Sequence, residues 1–262
     1  MISISFEPLA ARPPLAGLWR VRGETARLGG VSALAIRPDG LRALTDSGVL
    51  IDLPYPAAEP TRALVRDLPA GPGRPTFKKF RDSESLSATG SGWWVGFEHR
   101  HSLWLFDPAV RHARGRTDLS RLRWPVNAGA EAMVADGDGL LLLSESGREV
   151  VRVRSGRVQR LPLRDAGGAP ADATRLPDGT VLVTVRRFGI TGIRNRIARL
   201  ERSSPGYRLR PVAALPLGPF DNVEGLAAQP RPGGGVRLWM ITDNDLSRVR
   251  DTLLIALDLP GN

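Results

Sequence analysis

The sequence predicts an all-β fold of the β-propeller type, because short apolar strands alternate with tight turns and because one two-strand plan recurs along the chain. Helical periodicity is hard to find. Instead, short runs rich in β-branched residues, such as 181–185 (VLVTV) and 236–242 (VRLWMIT), lie between Gly, Pro, Asp and Asn residues. Turn signals such as Pro177-Asp178-Gly179 directly precede these runs, as in antiparallel hairpins.

The recurring plan is a small or acidic opening, an apolar strand, a turn, and a second apolar strand that ends in a polar residue. It is found at 29–48, 82–98, 129–147, 171–187 and 222–245. Aligned on their openings, these segments place at one position Ser32, Glu84, Glu131, Asp172 and Glu224. A period of about 40–50 residues is that of one four-stranded blade, so the sequence predicts five blades in a single domain over 1–262.

Closure of the ring is predicted from the two ends of the chain. After the fifth opening pair, one strand near Leu253–Leu257 remains, and we expect the N-terminal strand near Ile2–Phe6 to pair with it. The wrap from Glu224 round to Ser32 is longer than the other intervals, which leaves a degenerate sixth blade open.

Composition limits the classes of function. With 42% hydrophobic residues among 262, the chain can bury a sizeable core, and the absence of cysteine excludes disulfides, thiolate metal sites and a cysteine nucleophile. The net charge of +10 indicates either a solvated arginine surface or attraction to anions such as phosphate esters. Nucleic acid is not expected as a partner, because no arginine run is interleaved with aromatic residues. No apolar stretch is long enough to cross a bilayer.

The repeat predicts a ring of polar side chains, since the inner strands of a propeller run in one direction around a shared channel. Most of the aligned openings are carboxylates, and the ends of the second strands add Asp46, Glu98, Glu145, Arg186 and Asp243. Clustered carboxylates repel one another, so a compensating cation is expected, either an arginine or a hard divalent ion such as Ca²⁺. The alternative is that each carboxylate caps a turn by accepting backbone N–H groups.

The same segments resemble the phytase-like domain family, described as "esterase-like activity of phytase". The matching pieces are GGVSALA with TDSG, DSESL with WWVGFE, NAGAEAM with LLLLSE, ADATRLPDGTVLV, DNVEGLAA, and LWMITDND before RDTLLIALDL. They run in order from about Gly29 to Leu259. The resemblance implies a β-propeller in an exported bacterial protein that hydrolyses phosphate esters, with calcium in more distant propeller phytases. The family-like polar residues are Glu84, Glu98, Glu131, Glu145, Asp172, Arg186, Asn222, Glu224, Asp243 and Asn244.

The leading hypothesis is therefore a metal-assisted phosphoester hydrolase that acts as a monomer in the periplasm or outside the cell, its leader being absent from this chain. The candidate catalytic residues are Glu131, Glu224 and Arg186. The candidate residues for binding an anionic, phosphate-containing substrate are Arg186, Arg187, Arg100, His99, Asn222 and Asn244. The candidate Ca²⁺ ligands are Glu84, Glu98, Glu131, Glu145, Asp172, Glu224, Asp243 and Asp46.

Two other hypotheses stay open, so the sequence does not decide whether the protein is an enzyme. One is a non-catalytic propeller that binds a small anion or a protein partner at the same cavity. In that case the carboxylates would be paired with arginine rather than gathered around one point. The other is an interaction scaffold, which would present an exposed apolar or aromatic patch.

Overall fold

The computed structural model describes residues 1–74, 78–190, 192–216, 222–244 and 250–261. Their regular structure is almost entirely β-strand, apart from the short helix α1 (Lys78–Arg81) and 3₁₀ turns at Ala26–Leu28 and Ser120–Leu122. The strands are β1 (Ile2–Pro8), β2 (Leu15–Gly23), β3 (Val31–Arg37), β4 (Gly40–Thr45), β5 (Val49–Pro54), β6 (Thr61–Asp67), β7 (Ser83–Thr89), β8 (Gly92–Phe97), β9 (Ser102–Phe106), β10 (Ala113–Asp118), β11 (Ala130–Asp136), β12 (Gly139–Ser144), β13 (Glu149–Arg154), β14 (Arg157–Arg164), β15 (Ala169–Arg175), β16 (Val181–Gly189), β17 (Gly192–Ser203), β18 (Gly206–Ala214), β19 (Val223–Pro230), β20 (Val236–Thr242) and β21 (Leu253–Leu259). Within these residues, no helix has the length and apolar character needed to span a membrane.

The strands are arranged in antiparallel meanders of four. The chain forms β3 to β6, β7 to β10, β11 to β14 and β15 to β18 in succession, and β19, β20 and β21 are completed by β2. Tight turns join neighbouring strands. Gly179, for example, has a φ of +85° in the turn between β15 and β16, a conformation that favours glycine.

The first strands of the meanders surround a common axis. β3, β7, β11, β15 and β19 contact one another in cyclic order, with β19 returning to β3. Their C-terminal halves line a small apolar cavity of about 190 Å³ that includes Leu34, Leu86, Met133 and Ala228. Meanders arranged radially around a channel are a β-propeller, so the predicted all-β propeller fold is confirmed.

The apolar core lies between meanders rather than within any one of them. Phe97 and Phe106 pack against Leu44 and Leu50, which joins the second meander to the first. Equivalent clusters lie between each following pair of meanders and between the last and the first. Each large buried side chain contributes about 1.5–3 kcal/mol. Apolar packing of this kind therefore holds the ring rigid and fixes the positions of the inner strands.

The predicted closure of the ring is wrong in its pairing. β21 pairs with β2, with Leu18 opposite Ile255, whereas β1 pairs with β2 on one side and with β6 on the other. The N-terminal segment therefore supplies two strands: β2 completes the last meander and β1 links it to the first. This arrangement covers the free edges of both β21 and β6, which a single N-terminal strand paired with β21 would not do.

Candidate functional site

The candidate site is the end of the channel at which the inner strands begin, which we call the mouth. All five of these strands start with a register shift, and in four of them the residue in the shift is Ser32, Glu84, Glu131 or Glu224. A β-bulge leaves one residue without a partner on the next strand and changes the direction of its side chain. The bulges therefore turn three carboxylates from different blades toward one another.

The ends of the second strands are fixed by a repeated backbone hydrogen bond. The N–H groups of Asp46, Glu98, Glu145 and Asp243 each donate to the carbonyl of the residue two positions before the neighbouring bulge. These hydrogen bonds place the four residues at equivalent positions of their meanders, as the sequence alignment predicts. Each lies beside the mouth, one strand away from the inner strand of its own meander.

Asp172 does not hold the same position as the other acidic openings. In β15 the register shift falls at Ala171, between Pro170 and Asp172, so the sequence alignment is displaced here by one residue. Asp172 is fully buried, and its carboxylate accepts N–H groups from Leu34 at 3.0 Å, Leu226 at 2.7 Å and Ala173 at 2.8 Å. These contacts join β15 to β3 and β19 across the channel, as expected of a structural carboxylate.

Carboxylates from neighbouring blades converge at the mouth. Glu98, Glu131 and Glu145 each offer one oxygen, and these oxygens lie within 4.8 Å of one another. A second group shares Glu98, because His99 Nδ1 lies 3.3 Å from Glu98 Oε2 and 2.9 Å from Asp82 Oδ2. Glu131 is only 5% exposed, and its carboxylate makes no hydrogen bond or ion pair within the described ranges.

The crowding is reflected in the pKa values of these acids. Burial raises the pKa of Glu131 well above its ordinary range, and Glu224 and Glu145 raise it further while Arg186 opposes them. Burial likewise raises the pKa of Glu84, followed by the charges of Glu131, Asp82 and Glu224. The carboxylates are therefore close enough to affect one another, and together they disfavour a fully ionised mouth.

Arg186 supplies positive charge at one side of the mouth. It is buried at the start of the β16 extension, where Nη1 donates to Asn222 Oδ1 at 2.9 Å and forms an ion pair with Glu224. Asn222 in turn donates to Asp243 Oδ2 at 3.4 Å. The buried Nε of Arg186 makes no hydrogen bond in the part of the chain that is described. Asn222 and Glu224 therefore hold Nη1 of the guanidinium, whereas Nε has no acceptor among the described residues.

The profile of the family "Phytase-like: Esterase-like activity of phytase" matches residues 26–246. The chain belongs to the phytase-like family. A comparison with curated proteins finds no significant match.

Solved structures share the fold of this phytase-like chain at low sequence identity. A glutaminyl cyclase from Myxococcus xanthus is 12% identical, with a TM-score of 0.57 and coverage of 99% of this chain and 99% of that one. The catalytic domain of a GH62 α-L-arabinofuranosidase from Coprinopsis cinerea is 11% identical, with a TM-score of 0.54 and coverage of 96% and 97%. Such identities indicate a shared architecture and carry no information about chemistry.

Three further candidate substrate-binding residues are Arg187, Arg100 and Asn244. Arg187 is exposed, because successive residues of a strand face opposite sides and Arg186 takes the inner one. Arg100 is exposed and lies over the ring of Phe80, 4.2 Å from its centroid. Asn244 Oδ1 accepts the N–H of Gly30 at 3.1 Å and so links the last blade to the first.

Asp82 is a site residue that the sequence reasoning missed. It lies two positions before the bulge residue Glu84, where the other blades carry Gly30, Gly129, Ala169 and Asn222. The sequence signal for Asp82 is the first acid of the motif Asp82-Ser83-Glu84. An alignment on one acidic position per repeat does not reveal it.

Glu98 predicts a pH dependence of stability in metal-free buffer. Its pKa is raised to about 7 by burial, then by Asp82 and Glu145. The folded state binds the proton of the Glu98 carboxyl more tightly than the unfolded state does. This binding stabilises the fold fully below about pH 4.5, and the stabilisation is lost as the pH rises through 7. After allowance for solvent screening we expect a loss of about 1–2 kcal/mol.

Urea unfolding at several pH values between 5 and 7.5 measures this effect, with Glu98→Gln as the comparison. The variant should show a flatter pH profile than the wild-type protein. Acids with lowered pKa values, such as Asp118 and Asp178, do not interfere, because their contribution is already complete above about pH 5. Parallel profiles for the two proteins would contradict the raised pKa of Glu98.

Proposed function

We propose that the mouth is the active site of a hydrolase that cleaves an anionic phosphate ester. The observation that carries the proposal is the convergence of Glu98, Glu131 and Glu145 from two neighbouring blades beside the Arg186–Glu224 pair. Membership of a family described by an esterase-like activity supports hydrolysis as the reaction class. Acidic groups with displaced pKa values beside a cation are typical of catalytic sites.

A cation is part of this proposal because carboxylates alone would repel a phosphate ester. The donors suit Ca²⁺, which prefers carboxylate oxygens. Glu98 and Glu145 would hold the ion, and Glu131, whose oxygen lies within 4.8 Å of theirs, would stay free for proton transfer, with Glu84 and Asp82 near them. When bound, such an ion supplies positive charge for the phosphate oxygens and lowers the pKa of a coordinated water.

The protein's own residues have distinct proposed roles. Arg186 binds a phosphate oxygen through its guanidinium, which Glu224 and Asn222 position. Glu131 moves the proton, because Glu224 is already engaged by Arg186 and Glu131 is not. His99, whose Nδ1 lies beside the carboxylates of Asp82 and Glu98 without hydrogen-bond geometry, is assigned to substrate binding.

Further parts of the proposal concern the whole molecule. We propose a single domain of five blades, supported by the cyclic contacts of the inner strands and by the clusters between meanders. We also propose export to the periplasm or the medium and a monomeric state, on the family resemblance alone. A non-catalytic anion-binding propeller is the second candidate, favoured by the ion pair that already neutralises Glu224.

A phosphoester panel with and without Ca²⁺ tests the proposed function. The panel would contain p-nitrophenyl phosphate, a phosphodiester and an inositol phosphate, each measured on chelator-treated protein and after Ca²⁺ is restored. We expect phosphate release that falls at least about tenfold with chelator and returns with the ion. No release from any ester, combined with calorimetric binding of inorganic phosphate, would instead assign the mouth to anion binding.

A further inference from the structure

A cleft of about 980 Å³ lies at the rim of the propeller, between the outer strands of the second and third meanders. We call it the rim cleft, and its lining comprises 116–119 at the end of β10, 121–122 in the following 3₁₀ turn, and 156–160 at the start of β14. None of the mouth carboxylates Glu98, Glu131 and Glu145 lines it. A cavity of this size is large enough for a small ligand or for a segment of a polymer.

Arginines from both meanders line the rim cleft, namely Arg116, Arg121, Arg157 and Arg160. Arg160 is held by the protein, because its Nε donates to Glu149 at 2.6 Å and its Nη1 donates to the carbonyl of Leu122 at 3.1 Å. The side chains of the other three are exposed and make no hydrogen bond or ion pair with any residue that the structure describes. Like charges gathered in one concavity repel one another, and a bound anion removes that repulsion.

Asp118 is the carboxylate in the described lining of the rim cleft, and its oxygens are already engaged. They accept the N–H and the hydroxyl of Ser120, both at 2.9 Å. These hydrogen bonds lower the pKa of Asp118, and the nearby charges of Arg116 and Arg121 lower it further. Asp118 therefore stays ionised and offsets part of the positive charge, but three arginines that lack an ion pair share this one carboxylate.

The side chains of the rim cleft favour phosphate groups over nucleobases. A planar guanidinium donates two parallel hydrogen bonds to a phosphate, and arginine is the only cationic side chain in the lining that the structure describes. That lining also contains no aromatic ring. Single-stranded nucleic acids are held by stacking of their bases on aromatic side chains, so this cleft does not suit them.

The positive charge extends along the blade rather than gathering at one point. β14 begins at Arg157, remote from the mouth, and runs back toward it, because β12 ends at the mouth and β13 leaves it. Arg160 lies about 10 Å farther along the strand. A second cavity of about 570 Å³ shares Arg116 and Asp118 with the rim cleft and reaches His99 at the mouth. A linear anion fits this arrangement better than a compact one.

We propose that the rim cleft binds a linear polyphosphate chain, at a site separate from the mouth. Arg116, Arg121 and Arg157 contact successive phosphate groups, and the second cavity gives the chain a path toward His99. The binding rests on the cleft alone and does not depend on any reaction at the mouth. Failure of hydrolysis would therefore leave it standing, and failure of polyphosphate binding would leave the hydrolase proposal standing.

Isothermal titration calorimetry on chelator-treated, desalted protein tests the proposal, with long-chain polyphosphate and inorganic phosphate as the ligands. Removal of metal leaves the carboxylates of the mouth to repel anions, so binding there contributes little. We expect polyphosphate to bind at least about tenfold more tightly than inorganic phosphate, because one chain makes several contacts at once. The double variant Arg121→Gln/Arg157→Gln should bind polyphosphate at least about tenfold more weakly. The slope of log K against log salt concentration should fall by about two, one for each arginine removed.

Arg12→Gln/Arg62→Gln is the matched control, because it removes the same charge from exposed arginines outside the rim cleft. It should bind polyphosphate as the wild-type protein does, and equal melting temperatures would show that all variants are folded. An equal loss of binding in the control would assign the effect to net charge and overturn the site. So would equal binding by the wild-type protein and the cleft variant, or an absence of wild-type binding. Equally tight binding of a sulfated polysaccharide would overturn the assignment to phosphate.

Discussion

Glu131→Gln is expected to lower kcat for phosphoester hydrolysis by about 10²–10⁴-fold, the range lost when a positioned proton-transfer group is removed. The substitution keeps the size of the side chain but removes its titratable proton. Glu131 is buried at the mouth, burial raises its pKa first, and Glu224 and Glu145 raise it further. A carboxyl group in this environment holds and releases a proton at a pH where an ordinary glutamate is always ionised.

Stability should change in the opposite direction to activity. The neutral amide relieves repulsion with Glu224 and Glu145, so the metal-free variant should unfold at a higher urea concentration than the wild-type protein near neutral pH. A loss of activity with unchanged or raised stability separates a chemical role from a folding defect. The measurement is steady-state kinetics together with urea unfolding of the same preparations.

Glu201→Gln is the control for this experiment. Glu201 lies on β17 and pairs with Arg208 at 2.8 Å, outside the mouth. Its substitution should leave kcat unchanged and alter stability by less than about 1 kcal/mol, because exposed ion pairs contribute little. Wild-type kcat in Glu131→Gln would remove Glu131 from the reaction and leave Glu224 as the remaining candidate.

The fold was predictable because each blade carries its own local signals. Turn motifs such as Pro177-Asp178-Gly179 and runs such as 181–185 identify hairpins without knowledge of the rest of the chain. Ring closure was not predictable in the same way. Both β1 and β2 are plausible strands, and the choice between them depends on which free edges remain after the other blades have formed.

The candidate site was predictable only in part, for a reason visible in the backbone. The repeat correctly aligned Glu84, Glu131 and Glu224, because each follows the same pattern and falls in a bulge. In the fourth repeat, which begins with ADAT at 171–174, the nearest acid is Asp172, but the bulge lies at Ala171. A bulge is defined by pairing with the neighbouring strand, so the letters of one strand do not reveal a displacement of one residue.

Asp172→Ala is the substitution with the largest expected effect on stability. The fully buried carboxylate of Asp172 accepts three backbone N–H groups, from Leu34 on β3, Leu226 on β19 and Ala173 on β15. Asp172→Ala leaves all three donors buried without an acceptor. Each unsatisfied buried group costs about 1–3 kcal/mol. Burial raises the pKa of Asp172, so loss of the buried carboxylate offsets part of this cost, and the free energy of unfolding should fall by about 3–6 kcal/mol. That is a large share of the stability of an ordinary domain.

Urea unfolding of Asp172→Ala and Asp172→Asn measures this loss, with Asp178→Ala as the control. The asparagine variant keeps one acceptor oxygen and should lose less than the alanine variant. Asp178 is exposed in the turn of the same blade and accepts the N–H and the hydroxyl of Thr180, so its substitution should cost about 1 kcal/mol or less. If Asp172→Ala unfolded at the wild-type urea concentration but lost activity, Asp172 would belong to the chemistry of the mouth. A loss of stability confined to Asp172 would instead identify it as the carboxylate that ties three inner strands together across the channel.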